Sequence, residues 1–261
     1  MLFVGKSVRL QHYYEKMRNM ESPFKFGTIV EAEYFTDRVK EVAYISQFLE
    51  SANHLDEFQE IRDIAPKLDK QLRSVMQEQK HINYVLLGSQ ESMMTDIFEN
   101  KKSPFYHFGE LMRLGKLPRE DFYSYLSERL MVVFPDSYEM LSERILNYTW
   151  RHPYYSQQLA ANVWQVGILH PDSEDPMDEA IDHIVKSHGL DYERLWMNLN
   201  RTNRWIMQRL AGGKPLQTGE YRTSTVYSAL KRLQKDGFVI YADRYELEDP
   251  FFKQWILSEM E

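Results

Sequence analysis

The sequence predicts a mostly helical chain built from a small parallel α/β core, a helical block and a C-terminal winged helix. Three observations lead there. Residues 82–87 (INYVLL) form a short apolar run that ends at Gly88-Ser89, which is the pattern of a strand covered on both faces under helices in a parallel sheet. Apolar residues recur at helical spacing through most of the remainder. The last block reads as helix, short helix, long helix and hairpin, in that order.

Taken along the chain, residues 1–20 are basic and aromatic and read as an N-terminal extension. Residues 21–33 hold Pro23, Gly27 and alternating apolar residues, an extended lead-in. Thr36 or Asp37 caps a helix that carries Val39, Val42, Ile45, Phe48 and Leu49 to Glu50. A second helix runs from Ile64 to Gln79, with Ile64, Leu68, Leu72, Val75 and Met76 on one face. The strand at 82–87 follows, then a helix from Ser89 to Glu99. Further helices are expected at 119–133, 137–148, 154–166 and 177–188. The final block starts with one helix from Tyr192 to Leu210, stopped by Ala211-Gly212-Gly213. A short helix at 217–221 leads to a long one at 224–236, ended by Gly237. Segments 238–241 and 244–247 form the hairpin. The expected divisions are 1–20, 21–128, 129–191 and 192–261.

Composition narrows the function classes. The 261 residues are 43% hydrophobic and 27% charged, a folding composition. A net charge of −7 argues against a protein that coats nucleic acid with its whole surface, while a local basic face stays allowed. The absence of cysteine excludes disulfides, thiolate metal sites and cysteine nucleophiles, and suits the cytoplasm. No apolar run approaches the roughly 18 residues that span a bilayer, and no signal-peptide core stands at the N-terminus, so no membrane role is expected.

Four places carry potential chemistry. Asp56-Glu57 is an acidic pair; after an apolar strand such a pair holds magnesium and activates water, and otherwise it suits a helix N-terminus. Only Leu55 fits a preceding strand. Gly88-Ser89-Gln90 ends the best strand, where Ser89 either faces a ligand or caps the next helix. Gly5-Lys6-Ser7 resembles the end of a phosphate-binding loop, yet only four residues precede it, too few for the rest of the loop and its strand. The basic stretch from Arg194 to Lys235 offers Arg222, Thr223, Ser224, Lys231 and Arg232 to DNA, or serves a winged helix used for protein contact. His152, His183 and His188 show no metal-ligand spacing.

The order of these segments resembles the prokaryotic AAA ATPases of the archaeal type, a branch grouped with the STAND NTPases. The resemblance is carried by FKFGTIVEAEYFTDRVKEV at 24–42, DEFQEI at 56–61, the stretch 68–118 around INYVLLGSQ, HPYYSQQLAANVW at 152–164, and the end in YELEDPFFKQW at 245–255. It implies a P-loop NTPase core, a helical lid over 129–191 and a winged helix, with ATP and Mg as ligands. Asp56 then matches the Mg-holding carboxylate and Glu57 the water-activating one. Ser89 matches a polar phosphate sensor, and His152-Pro153 the lid segment near base and phosphates. His107 stands where relatives carry an arginine, so an arginine supplied in trans is not expected.

The departure is the phosphate loop. The resemblance calls for a strand, a loop and a helix between the helix at 38–50 and the acidic pair, and Asn53-His54-Leu55 fills that interval. Three extended residues span about 10 Å. The chain is therefore expected to be an α/β remnant of a P-loop NTPase with weak or no ATP binding and hydrolysis, acting as a regulatory or interaction protein. The alternatives are an ATPase that uses a partner or a noncanonical phosphate site, and a DNA-binding protein. The expected partners are a protein or a second copy of the chain, and DNA.

Overall fold

The computed structural model describes residues 22–24, 52–55, 58, 61, 68–88, 91–113, 117–241 and 243–260. The expected helix at 36–50 and the extension at 1–20 lie outside them. The chain forms two compact units, one of residues 38–115 with 230–239, the other of 1–37, 116–229 and 240–261.

In the smaller unit, β1 (Ala52–Leu55) pairs parallel with β2 (Asn83–Leu86), with Ala52 opposite Asn83 and Leu55 opposite Leu86. Parallel neighbours need a crossover, and α1 (Leu68–Glu78) lies within it. A second helix, α2 (Glu91–Phe98), follows β2. β1 corrects the sequence reading, which saw one strand-like residue before the acidic pair. Pairing to β2 draws Ala-Asn-His into a strand that local composition does not favour.

The core of this unit gathers Phe58, Ile61, Met76, Met94, Ile97 and Phe105. Phe105 meets Phe58 and Phe108 edge-on, each with ring centroids 5.2 Å apart, the favoured aromatic arrangement. On α1, Leu68, Leu72 and Met76 share the i, i+4, i+8 stripe and turn toward the core. Val75, expected on that face, is 49% exposed. It sits about 100° around the helix from Met76.

The larger unit is helical: α3 (Arg119–Leu130), α4 (Tyr138–Tyr148), α5 (Pro153–Leu169), α6 (Pro176–Ser187), α7 (Gly189–Asn198), α8 (Arg201–Ala211), the part of α9 (Thr223–Lys235) before residue 230, and α10 (Pro250–Ser258). Between the last two, β3 (Val239–Tyr241) and β4 (Tyr245–Leu247) form a two-stranded sheet. α5 is buried along most of its length, including Leu159, Ala160, Val163 and Trp164, as expected for a helix enclosed by neighbours. It packs against α3, α4 and α6. Polar cross-links pin these helices: Ser127 Oγ donates to Ser142 Oγ at 3.1 Å, and Gln157 Nε2 to the Tyr125 hydroxyl at 3.1 Å. Phe24, from the lead-in, meets Tyr125 and Trp164 edge-on, with centroids 6.1 and 6.2 Å apart.

Two elements of the terminal block differ from expectation. The helix expected over 192–210 is broken at Leu199-Asn200. Asn200 accepts from the Asn203 amide at 2.9 Å and starts α8 as its N-cap. The short helix expected at 217–221 does not form; Gly219, with φ at 80°, lies inside it. The long helix and its stop match the sequence reading. Gly237 takes φ of 76°, Phe238 N donates to Leu233 O at 2.9 Å, and Gly237 N to Gln234 O at 3.2 Å. This double closure satisfies the last carbonyls of α9.

Candidate functional site

Asp56, Glu57 and Ser89 lie outside the described residues, but their flanks are described. β1 ends at Leu55, opposite Leu86. Three positions later, Phe58 N donates to Leu87 O at 2.8 Å. Leu55 and Phe58, the described residues on either side of positions 56 and 57, thus both align with or bond to the carboxyl end of β2. In open α/β sheets the carboxyl ends of parallel strands are where ligands bind.

His152 and Pro153 join α4 to α5. Trp150 and Arg151 both take left-handed φ, 49° and 61°, at a cost of about 1–2 kcal/mol each for residues with a Cβ. Arg151 N donates to Leu146 O at 3.1 Å and His152 N to Thr149 O at 2.9 Å, closing α4. Pro153 occupies the first turn of α5, where its fixed φ and missing amide are tolerated. The half-buried His152 ring lies 4.5 Å from Tyr155, centroid to centroid. Thr149 Oγ1 donates to Ile145 O at 2.8 Å, so Ser156 donates to Thr149 Oγ1 at 2.5 Å. His107 is exposed and also left-handed, with φ at 52°.

In the terminal block, Arg222, Thr223, Ser224, Lys231 and Arg232 are all exposed. Along α9, Val226, Ala229, Leu230 and Leu233 are buried. Ser224, Tyr227, Ser228, Lys231 and Lys235 form the opposite, exposed stripe at helical spacing. Two neighbouring arginines are committed elsewhere. Arg204 donates to the Trp196 and Met197 carbonyls, both at 2.9 Å, and Arg209 to Pro215 O at 2.5 Å.

One cluster escaped the sequence reading. Asp249 N-caps α10 through the Phe251 and Phe252 amides, and the Tyr192 hydroxyl donates to its other oxygen. Burial pushes the Asp249 carboxyl above the usual carboxylate range, against the pull of those three donors. Glu248 is raised as well, first by burial and then by Asp249. Burial, followed by the Asp249 charge, also raises the hydroxyls of Tyr148, Tyr155 and Tyr192. The Asp249-Pro250 pair is a visible helix-start signal; that Tyr192 would reach it is not. A groove of about 930 Å³ among α4, α6 and α10 is lined by Arg144, Ile181, Lys186 and Trp255. Its Arg144 is paired with Asp175 and Asp178, and its Lys186 with Asp182. Among the described residues no cluster of His, Asp or Glu has the makings of a metal site, and no helix is long and apolar enough to cross a membrane.

No family model and no curated protein sequence matches the chain. Among solved structures, the Walker-type ATPase paby2304 of Pyrococcus abyssi is similar over 95% of this chain and 75% of that one, with 14% identity and a TM-score of 0.57. The ORC2 protein of Aeropyrum pernix, solved in ADPNP-ADP complexes, is similar over 85% of this chain and 68% of that one, with 17% identity and a TM-score of 0.37. The first likeness shows the fold. The chain shares the overall fold of that protein.

Proposed function

We propose that the chain is a degenerate AAA-type ATPase-like protein that acts by regulation or interaction rather than by hydrolysing ATP. The ends of its two parallel strands carry this reading. A phosphate loop follows a strand and opens a helix, and supplies backbone amides and a lysine to the phosphates. Here β1 runs into Asp56-Glu57 and β2 into Gly88-Ser89-Gln90. Neither continues into a glycine-rich loop with lysine. Gly213-Lys214 belongs to the turn that ends α8, with Gly213 φ at 63° and Lys214 N donating to Arg209 O at 2.7 Å. The alignment of Leu55 and the hydrogen bond of Phe58 with the carboxyl end of β2 support the Mg-holding and water-activating roles that the resemblance implies for Asp56 and Glu57, and Ser89 as the polar sensor. The strained turn before His152-Pro153 supports a retained lid, since such strain persists where surrounding structure holds it for a purpose.

Calorimetric titration of the full chain with Mg-ATP is the test. No measurable heat at micromolar ligand is expected, and micromolar binding overturns the proposal. If the chain instead borrows a phosphate site from a partner, phosphate release appears on mixing and disappears with Glu57→Gln.

The exposed stripe of α9 favours a second reading, DNA contact through Arg222, Thr223, Ser224, Lys231 and Arg232. Phosphate neutralisation releases counterions, so such binding weakens steeply with salt. A gel shift of the full chain that is unchanged between low and high salt contradicts it.

A further inference from the structure

The break between α7 and α8 opens a cleft of about 630 Å³, with Trp196, Trp205 and Tyr221 as its aromatic walls. Trp205 and Tyr221 stand with ring centroids 4.9 Å apart at 59°. Arg201, Arg204 and Glu220 also line it. The walls are held in place. Trp205 Nε1 donates to Glu220 Oε2 at 2.7 Å. Arg204 is fixed by the Trp196 and Met197 carbonyls, with its guanidinium 5.7 Å from the Trp196 ring centroid.

We propose that this cleft binds a nucleotide, with the base against the aromatic walls and the phosphate on Arg201. Each part of the ligand meets a matching group. Aromatic side chains stack bases through faces that every base possesses. Arg201 is exposed and, among the described residues, makes no ion pair or side-chain hydrogen bond, so its planar fork is available to a phosphate. Glu220 keeps Oε1 as an acceptor beside the walls, suited to the amino edge of adenine, cytosine or guanine and not to the carbonyl edge of uracil or thymine. The arginines disfavour a cationic ligand such as a quaternary ammonium, which aromatic walls alone would suit. The cleft shares no residue with the acidic pair, so it stands whether or not the degenerate core binds ATP. Free nucleotides and single-stranded nucleic acid present the same chemistry.

The test is tryptophan fluorescence of the full chain titrated with AMP, CMP and UMP, and with short single-stranded oligo-dA and oligo-dT. Quenching by the adenine and cytosine ligands is expected, with weaker quenching by UMP and oligo-dT. Arg201→Glu is expected to weaken binding about tenfold or more, because it replaces attraction to phosphate by repulsion. It places a carboxylate in the first turn of α8, a favourable helix position, so the fold is retained. Trp205→Phe keeps a stacking face but loses the bond to Glu220, and is expected to reduce the preference for the amino-bearing bases. Saturation by mononucleotides identifies free nucleotide as the source; saturation by oligonucleotides alone identifies nucleic acid. The proposal fails if no ligand quenches at millimolar concentration, or if binding is the same in Arg201→Glu. It also fails if binding requires Mg-ATP and vanishes with Glu57→Gln, which assigns it to the acidic pair.

Discussion

The Tyr192 hydroxyl donates to Asp249 Oδ2 at 3.1 Å, while Asp249 Oδ1 accepts the Phe251 and Phe252 amides at 2.7 and 3.1 Å. A helix cap is thereby buried and tied to α7. The cap is good geometry in a poor dielectric: three donors favour the carboxylate, and burial outweighs them.

This has a pH signature. A carboxyl whose folded pKa is raised holds its proton more tightly in the native state, so its contribution is complete below the ordinary aspartate pKa. It is lost as pH rises through the raised value. Asp249→Asn retains the capping oxygen and cannot ionise; its Nδ2, in place of Oδ2, donates to the Tyr192 hydroxyl, so that bond reverses direction. It also relieves Glu248, which Asp249 pushes up. Urea unfolding midpoints across mildly acid to neutral pH are expected to shift in favour of the variant as pH climbs. Parallel profiles for the two proteins would count against the buried-carboxylate account.

Asp175 is the opposite case on the same scaffold. It caps α6 through the Met177 and Asp178 amides at 3.0 and 3.1 Å, and Arg144 meets both its oxygens at 3.1 and 2.8 Å. The Arg144 hydrogen bond leads the causes that hold this carboxyl below the usual range. Its contribution is present above the unfolded aspartate pKa and lost as pH falls through the lowered folded value. Asp175→Ala is expected to cost about 1 kcal/mol at neutral pH from the cap alone. The gap to the parent protein narrows in strong acid. Denaturant titrations at neutral and low pH compare them, and an equal gap at both disagrees with the assignment.

Glycines give a third prediction by two different mechanisms. A Cβ on Gly167 meets Phe134 Cζ at 2.3 Å and Val133 Cγ1 at 2.5 Å. Gly167→Ala therefore overpacks α5 and is expected to destabilise by about 1–3 kcal/mol. Combining it with Phe134→Leu recovers part of that loss, because the clashing ring is gone. Gly237→Ala costs about 1–2 kcal/mol through its left-handed φ, and Phe134→Leu leaves that cost unchanged. Thermal melts of the two double variants separate the mechanisms.

The sequence showed most where the signal is local. The apolar run at 82–87, the helical spacing of α3 to α6 and the Gly237 stop all depend on near neighbours, and each has its counterpart in the structure. What it hid is long-range. β1 is a strand because β2 lies beside it, and Ala-Asn-His-Leu carries little of that on its own. The elbow at Asn200 was missed because the apolar period passes smoothly through it, although Asn200 itself is a cap-forming residue. The Trp196, Trp205 and Tyr221 walls follow from that elbow, so they were invisible for the same reason. The Tyr192–Asp249 bond joins residues 57 positions apart, beyond any window of periodicity.

The turn before His152-Pro153 supports a final prediction. Thr149 Oγ1 gives its proton to Ile145 O, which leaves Ser156 as the donor in the 2.5 Å contact between the two hydroxyls. Both residues are fully buried. Thr149→Val removes the acceptor but keeps the shape, stranding the Ser156 hydroxyl at an expected cost of about 1–3 kcal/mol. Adding Ser156→Ala removes the stranded group, so the double variant is expected to be more stable than Thr149→Val alone. Simple additivity of the two losses in a double-mutant cycle would mean that the hydroxyls do not act as a pair. The coupling matters beyond stability: this pair ties the end of α4 to the first turn of α5 across Trp150 and Arg151, whose left-handed backbone persists only while both flanks hold it.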